Sequence, residues 1–372
     1  MIYLDYSATT PIDPRVTEKW VSVETSFYAN ANSDHILGRE SKRNNDESIR
    51  IIADYFKVLP KEVIIMSSAV EANNTAIKGL AEKFPQKTHI ISSALEHASV
   101  IGALSFLDQR DYEIETLGLD DEGRYDLDQL NKMIREDTLL VTLIGVDSET
   151  GIRQPIEEAG KLCHRHHVFF HSDITQLVGK GHFDLTDIDM ASASAHKVYG
   201  PKGVAVLIKK ASVPLIPLLH GGHSFTPYRS STPQNGLVAA FAETLRLSSL
   251  EFDDRFIKVE KLNVYLRSKL EVFPEIHINS NQHSIPHLFN ISIQGSRPEE
   301  GLAYFSDHGL CFSSKSACSG QDEFSASVYA ITRDKALASS SYRISLSHLT
   351  TVEELDSLIK VMKTYCSKLC EK

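Results

Sequence analysis

Segments with the periodicity of strands and of helices alternate along most of this chain, and that alternation constrains the fold more than any other feature. Short apolar runs predict strands, and stretches with apolar residues three or four apart predict helices. Strands that alternate with helices form a mainly parallel sheet covered on both faces, so we expect an α/β fold with ligands at the carboxyl ends of the strands. The predicted strands are 62–66, 89–92, 138–146, 168–172 and 190–193, and the predicted helices are 41–58, 71–80, 100–109, 156–166 and 252–273.

The length and a change of pattern after Pro274 indicate more than one domain. The 372 residues exceed the roughly 250–300 at which a single hydrophobic core stops growing. Beyond Pro274 the predicted strands are shorter, at 288–293 and 341–346. The predicted division is an N-terminal arm at 1–14, a large domain at 15–250 and a smaller α+β domain at 251–372.

Composition narrows the class of function. The net charge of −10, from 49 acidic and 39 basic residues, disfavours direct binding of nucleic acid. The chain has neither an apolar run of membrane-spanning length nor the pattern of a signal peptide, so we expect no membrane contact and a cytoplasmic location. The cysteines are too unevenly spaced for a disulfide framework and are predicted to be thiols. Cys366 and Cys370 lie one helical turn apart, but no second ligand pair completes a metal site, so none is predicted.

Four polar residues follow predicted strands, where a parallel sheet brings catalytic loops together. They are His97, Asp173, Gln176 and Lys197. Each has a simple structural interpretation by itself, as a loop histidine, a helix cap, a surface amide and a solvated hairpin lysine like Lys202. Their common position at strand ends favours a shared site.

A further strand ends in Ser67-Ser68-Ala69-Val70 at the start of a helix. Backbone N–H groups and the helix dipole converge there and favour an anion such as phosphate, although simple N-capping by Ser67 or Ser68 explains the same residues. An anion site, a lysine and a carboxylate together match the needs of pyridoxal phosphate, which requires N–H donors, an amine and a partner for its ring nitrogen.

An ordered set of motifs covers essentially the whole chain and resembles the cysteine desulfurases of the NifS/IscS-like group. These are fold-type I pyridoxal phosphate enzymes of the class V aminotransferase family. Because the order and spacing are kept throughout, the set is far more specific than any single motif. The motifs are YLDYSATTP at 3–11, HILGRE at 35–40, SSAVEANN at 67–74, EHASV at 96–100, HSDITQ at 171–176, SAHKVYGPKG at 194–203, RSST at 229–232, SAC at 316–318 and RISL at 343–346.

The resemblance implies a role for each matching residue. Lys197 resembles the lysine that binds the cofactor covalently, Asp173 the partner of the pyridinium nitrogen, and Gln176 the donor to the phenolic oxygen. His97 resembles the histidine stacked on the cofactor ring, which also assists proton transfer. The residues matching phosphate-binding positions are Ser194, His196, Ala69 and Val70, together with Thr232, which matches a threonine that reaches the partner subunit's cofactor and so implies a homodimer.

The resemblance also implies a reaction and partners. Arg343 matches the arginine that holds the substrate carboxylate, and Cys318 matches the nucleophile that takes sulfur from L-cysteine as a persulfide, leaving L-alanine. The sulfur would pass to an acceptor protein, either an iron–sulfur scaffold or a tRNA-thiolation enzyme. Two alternatives stay open: a related enzyme acting on another amino acid, such as a selenocysteine lyase, and an inactive scaffold that keeps the fold.

The chain departs from the family pattern around the cofactor. Val70 replaces a threonine whose hydroxyl would bind phosphate, and Ser68 replaces a glycine. Asp147 or Ser148 stands where an asparagine is expected near the substrate carboxylate, and an aspartate there would repel it. Smaller departures are Ala195 and Ser231, each in place of glycine, and the run 321–328 after Cys318.

Overall fold

The computed structural model of the protein describes residues 1–222, 226–314 and 324–370. The predicted nucleophile Cys318 lies outside the described residues.

The helices are numbered α1 to α12 in chain order among the described residues. They are α1 Pro14–Ser26, α2 Ile36–Phe56, α3 Ala69–Lys83, α4 Ala98–Asp108, α5 Leu127–Met133, α6 Ile156–Arg165, α7 Asn235–Leu250, α8 Phe252–Leu270, α9 Pro298–Asp307, α10 Ala326–Thr332, α11 Lys335–Ser339 and α12 Val352–Cys370.

The strands are numbered β1 to β12 in the same way. They are β1 Ile2–Tyr3, β2 Val63–Met66, β3 His89–Ser93, β4 Glu113–Leu117, β5 Thr138–Thr142, β6 Phe169–Asp173, β7 Met190–Ser194, β8 Ala205–Lys209, β9 Ile276–Ile278, β10 Leu288–Ile293, β11 Leu310–Cys311 and β12 Ser341–Ser345.

A seven-stranded sheet in the order β2-β8-β7-β6-β5-β3-β4 forms the centre of the fold. Its strands pair in parallel except β8, which is antiparallel to both neighbours. Consecutive residues of one strand pack into different cores: Leu140 lies in the cluster on one face and Val141 in the cluster on the other. Both faces are therefore buried, as expected of a mainly parallel sheet, and the predicted α/β class is confirmed.

A three-stranded antiparallel sheet in the order β12-β10-β9 carries its own apolar cluster, to which α8, α9 and α12 contribute. The boundaries predicted for the domains stay predictions.

The N-terminal arm joins the two sheets across the carboxyl ends of the central strands. Strand β1 pairs in parallel with β11, and the backbone N–H of Ser345 donates to the carbonyl of Leu4. Further along, the N–H of Thr10 donates to the carbonyl of His196, and that of Asp13 to the carbonyl of Tyr199. The arm is thereby held against the loop that follows β7.

Most predicted bounds differ from the structure by one to three residues, and the two largest differences have a local reason. Helix α2 begins five residues before the predicted 41, because His35 caps it by accepting a hydrogen bond from the N–H of Gly38 at 3.1 Å. Strand β5 ends at Thr142 rather than at 146. The apolar residues beyond it continue as a buried loop whose N–H groups, those of Leu143 and Gly145, donate to β6 carbonyls.

No helix among the described residues is both long and apolar enough to cross a membrane.

Candidate active site

A cavity of ≈ 170 Å³ lies where the central strands end. The loops after β2, β3, β5, β6 and β7 all reach it, as the pattern of strand ends predicts. Ten of the thirteen predicted site residues line the cavity: Ala69, Val70, His97, Ser148, Asp173, Gln176, Ser194, His196, Lys197 and Arg343.

The start of α3 forms one wall of the cavity. Ser68 is the N-cap and accepts a hydrogen bond from the N–H of Glu71 at 3.2 Å, while the hydroxyl of Ser67 donates to the Glu71 carboxylate at 2.6 Å. Capping therefore occurs, and the remaining N–H groups of the first turn still provide anion donors at Ala69 and Val70. The Val70 side chain is half exposed and offers no hydroxyl to a ligand.

The segment after β7 brings Ser194, His196 and Lys197 to the opposite wall. Strand β7 pairs antiparallel with β8, so the lysine does lie in a hairpin-like connection, but it lines the cavity, whereas Lys202 is exposed. Burial lowers the pKa of His196 to about 4, assisted by the charges of Lys197 and Lys202. His196 is therefore neutral at neutral pH, with Nδ1 3.2 Å from the hydroxyl of Thr9.

Asp173, at the end of β6, is a buried carboxylate whose surroundings keep it ionised. Burial alone would raise its pKa, but the nearby His97 and hydrogen bonds from Thr175 and Asn73 lower the pKa below its ordinary value. The Thr175 N–H donates to Oδ1 at 2.9 Å, and the Asn73 amide donates to Oδ2 at 2.8 Å. Such a carboxylate suits the role of partner to a protonated ring nitrogen.

His97 caps α4 and faces Asp173 across the cavity. Its Nδ1 lies 2.7 Å from the hydroxyl of Ser99, which also accepts from the Asn73 amide at 2.8 Å. Burial lowers the pKa of His97 and the charge of Lys197 adds to this, while the charge of Asp173 opposes it. The imidazole is therefore neutral at neutral pH, with Nδ1 accepting a hydrogen bond from the N–H of Ser99 at 3.2 Å.

Arg343, on β12, reaches the cavity from the smaller sheet and is 2 % exposed. One terminal nitrogen donates to the carbonyl of Ser148 at 3.1 Å and the other to the Asp5 carboxylate at 3.0 Å, while Nε is buried without a partner. The guanidinium thus keeps an unused donor, which is what recognition of a second carboxylate needs.

Of the two residues predicted near the substrate carboxylate, only Ser148 lines the cavity. Asp147 is fully buried behind the loop, where Oδ2 accepts from the N–H of Thr150 at 2.7 Å and Oδ1 accepts from the hydroxyl of Ser327 at 2.8 Å. Asp147 therefore does not line the cavity, and a role for it beside the substrate carboxylate stays a prediction. Through these hydrogen bonds the carboxylate connects the loop after β5 to α10.

Thr232 does not line the cavity and is exposed. Its neighbours Ser231 and Pro233 border a separate groove of ≈ 560 Å³ along α2. Arg229, in the same motif, forms an ion pair with Glu71 of α3 at 2.9 Å, which fixes the motif beside the cavity wall. A role for Thr232 toward a partner subunit stays a prediction.

Several residues that support the site were not predicted. Ser7 lines the cavity with a hydroxyl that is buried without a partner, and Thr175 lines it beside Asp173. Asn73, Asp5 and Lys180 hold Asp173, Arg343 and Gln176 respectively. Their position along the chain was the available signal, because each lies inside or within a few residues of one of the motifs given above.

The described residues contain no group of three or more histidine, cysteine, aspartate or glutamate side chains arranged to hold a metal ion.

Glu96, directly before His97, makes the stability of the folded chain depend on pH. Burial raises its pKa to about 8, with the charge of Asp173 adding to the effect. The folded chain therefore keeps a proton that the unfolded chain releases, and stability is expected to fall as the pH rises from the ordinary carboxyl range to about 8. Glu96→Gln keeps an acceptor for the Ile144 N–H, which donates to Glu96 at 2.8 Å, but cannot ionise.

We expect the stability of Glu96→Gln relative to wild type to increase between about pH 6 and about pH 9 by at least ~1 kcal/mol. Denaturant unfolding of both proteins at several pH values measures this difference. If the unfolding free energies of the two proteins depend on pH in the same way, the raised pKa does not belong to Glu96.

Comparisons with known proteins agree with this geometry. The family model described as "Aminotransferase class-V" matches residues 2–358. The chain is 37% identical to "Cysteine desulfurase, mitochondrial" of Candida albicans, over 97% of this chain and 76% of the relative. It is 36% identical to "Cysteine desulfurase IscS" of Methylobacillus flagellatus, over 100% of this chain and 93% of the relative.

Solved structures show the same fold. A "NifS-like protein" superposes with a TM-score of 0.92 at 29% identity, covering 98% of this chain and 99% of that one. The structure described as "SspA in complex with cysteine" has a TM-score of 0.83 at 29% identity, covering 94% of this chain and 100% of that one. From the family match, the relatives and the shared fold, this chain belongs to the aminotransferase class-V family, among the cysteine desulfurases of the NifS and IscS type.

Proposed function

We propose that this protein is a pyridoxal phosphate-dependent cysteine desulfurase that converts L-cysteine to L-alanine and collects the sulfur as a persulfide on Cys318. The observation that carries the proposal is the convergence in one cavity of Lys197, the ionised Asp173 and the partly unpaired Arg343. An inactive scaffold would have no need to keep all three together.

The cavity has the donor set that pyridoxal phosphate needs. Two buried polar atoms on its wall have no protein partner: the hydroxyl of Ser7 and Nε of Arg343. Buried polar groups are nearly always hydrogen-bonded, so these two atoms favour a polar ligand. The phosphate donors would be the N–H groups at the start of α3 together with Ser194 and His196, and Asp173 would hold the ring nitrogen. When bound, the cofactor supplies an electron sink for chemistry at the substrate Cα.

The chain's own residues would bind the substrate and move protons around it. Arg343 would hold the substrate carboxylate through its unused donor, and Ser148 supports the guanidinium through its carbonyl. Lys197 and the neutral His97 are placed to accept and return the Cα proton. The thiolate of Cys318 would attack the substrate sulfur and form the new S–S bond while the C–S bond of cysteine breaks. The electron pair of that bond would stay with Cβ, which takes up a proton, so one thiolate, one L-cysteine and one proton give one persulfide and one L-alanine.

The partners are part of the same proposal. A homodimer would allow Thr232, which is exposed in the single chain, to reach the partner subunit's cofactor. The persulfide would pass to an iron–sulfur scaffold or to a tRNA-thiolation enzyme in the cytoplasm.

The experiment that tests the function is an absorbance spectrum of the protein incubated with pyridoxal phosphate, followed by addition of L-cysteine. We expect a visible band, a change of that band on addition of L-cysteine, and sulfide release with a reductant. No visible band would favour a scaffold, whereas a band without sulfide release would favour an enzyme acting on another amino acid.

A conservative substitution tests how the substrate is held. In Arg343→Lys the forked guanidinium is lost, and the KM for L-cysteine is expected to rise by roughly 10- to 100-fold, because a hydrogen bond to a charged group contributes about 1.5–3 kcal/mol. The matched control is Arg297→Lys on the surface, whose side chain is 80% exposed and whose substitution should leave KM unchanged. An unchanged KM in Arg343→Lys would remove Arg343 from substrate binding.

A further inference from the structure

Lys180 is a charged side chain buried behind the candidate active site. It is 7 % exposed, and its Nζ donates to Oε1 of Gln176 at 2.6 Å. None of the described carboxylates forms an ion pair with it, and the positive charges of Lys197 and Arg343 act on it unfavourably. Burial and these two charges lower the pKa of Lys180 to about 7. A cation in this position is costly to bury, which calls for an explanation.

The contact with Lys180 fixes the orientation of the Gln176 side chain. In its ammonium form Lys180 can only donate hydrogen bonds, and its Nζ donates to Oε1, so the atom of the amide that faces it is then the oxygen. The amide nitrogen then lies on the other side, where one of its hydrogens is donated to the carbonyl of Ser7 at 2.9 Å. Gln176 lines the cavity, so the second N–H of the amide is the group left for a ligand.

Both supports of the amide are themselves fixed. The N–H of Ser7 donates to the hydroxyl of Ser345 at 3.0 Å, which holds the N-terminal arm in place. Before Lys180, Gly179 has a positive φ of 71°, and an added Cβ would lie 2.4 Å from Val198, so this turn packs directly against the segment that carries Lys197. The lysine is therefore directed inward by the backbone.

Other titratable groups share the space around Lys180. A small cavity between it and the smaller sheet has Lys197, Arg255, His287 and His348 among its lining residues. Burial lowers the pKa of His287 to about 3 and that of His348 to about 4, so both imidazoles are neutral at neutral pH. Lys180 thus has no acidic neighbour in this cavity, and Gln176 is the side chain to which it donates.

We propose that Lys180 is a positioning residue, which holds the Gln176 amide with its nitrogen toward the cavity so that an N–H donates to the phenolic oxygen of pyridoxal phosphate. The inference rests on the proposed function, because it requires the cofactor. The ammonium also polarises the amide and strengthens this donor. Without Lys180 the Ser7 carbonyl is the one remaining support among the described residues, so the amide is held less firmly and presents its N–H to the phenolic oxygen for a smaller share of the time.

The test is a pH titration of the visible absorbance of the bound cofactor in wild type and in Lys180→Met. A donor to the phenolic oxygen stabilises the deprotonated form, so its loss should raise the midpoint by roughly one to two pH units. Lys180→Met is expected to fold, because replacing a buried charge that has no counter-charge by an apolar side chain is seldom destabilising. Circular dichroism of the same sample checks the fold.

A double-mutant cycle separates positioning from a simple effect of charge. In a Gln176→Leu background, Lys180→Met should cause no further shift if Lys180 acts through the amide. A second variant, Lys180→Gln, can still donate to the Gln176 oxygen without a charge, and its midpoint should lie nearer to wild type than that of Lys180→Met.

Each outcome is decisive. A full shift that persists in the Gln176→Leu background, or an unchanged midpoint in Lys180→Met, overturns the positioning role while leaving the function intact. A wild-type protein that binds no pyridoxal phosphate overturns the function and this inference together.

Discussion

Lys197→Ala is expected to bind pyridoxal phosphate without the visible band of the wild-type protein and to release no measurable sulfide from L-cysteine. Lys197 lines the cavity beside the neutral His196, where its amine can form the covalent link to the cofactor. The same amine is placed to move the Cα proton, a role that contributes about 10²–10⁴-fold in rate. We therefore expect turnover to fall by at least ~10³-fold, with both roles lost together.

The matched control for this variant is Lys202→Ala. Lys202 lies five residues further along the same connection between β7 and β8 but is exposed, so its loss should change neither the spectrum nor the rate. If Lys197→Ala keeps the visible band, or if Lys202→Ala loses it, Lys197 is not the lysine that binds the cofactor. Spectra and sulfide release from the same preparations distinguish these results.

The general placement of Lys197 and Asp173 was predictable because it follows from the periodicity of the chain. Once strands and helices alternate, parallel pairing places the residues after β6 and β7 at one edge of the sheet. Strand β8 is absent from the predicted strands although its apolar run at 204–208 has the pattern of one, and no sequence pattern gives its direction. Its antiparallel pairing makes the connection through Lys197 resemble a hairpin, so topology alone would not separate it from the exposed Lys202.

The choice between Asp147 and Ser148 was not predictable, since these residues lie in a loop where no periodicity assigns side chains to a face. The decision depends on a partner far along the chain: the hydroxyl of Ser327 takes one oxygen of Asp147, while Thr150 takes the other. With its carboxylate used in this way, Asp147 turns from the cavity and Ser148 faces it. Contacts of such long range are not encoded in local sequence.

The same limit applies to the residues that hold the predicted cofactor-binding side chains in place. Lys180 is one of 39 basic residues, and only the packed turn at Gly179 shows that it points inward. Ser7 lies in a quoted motif, yet its value to the site is a backbone carbonyl, a group that every residue has. Sequence patterns identify side chains that can take part in the chemistry. They identify less readily the backbone groups and neighbouring side chains that orient them.

Cys318→Ser is expected to stop sulfide release from L-cysteine while leaving the cofactor spectrum unchanged. A thiolate is needed to accept sulfur, and a serine hydroxyl is not ionised at neutral pH, so sulfide release should fall by at least ~10²-fold. The groups assigned to the cofactor are on other residues, Lys197 and Asp173 among them, so cofactor binding should survive. Absorbance and sulfide are measured on one preparation, with Cys370→Ser, an exposed cysteine, as the control.

Alanine formation by Cys318→Ser decides between the two enzyme functions that the sequence left open. In a desulfurase each alanine requires one sulfur transfer, so alanine should fall by the same factor as sulfide. A reaction in which Cys318 has no part would continue to make alanine in this variant. Because the two variants in Lys197 and Cys318 fail at different points, the first in the spectrum and the second only in sulfur transfer, together they separate loss of the cofactor from loss of the sulfur acceptor.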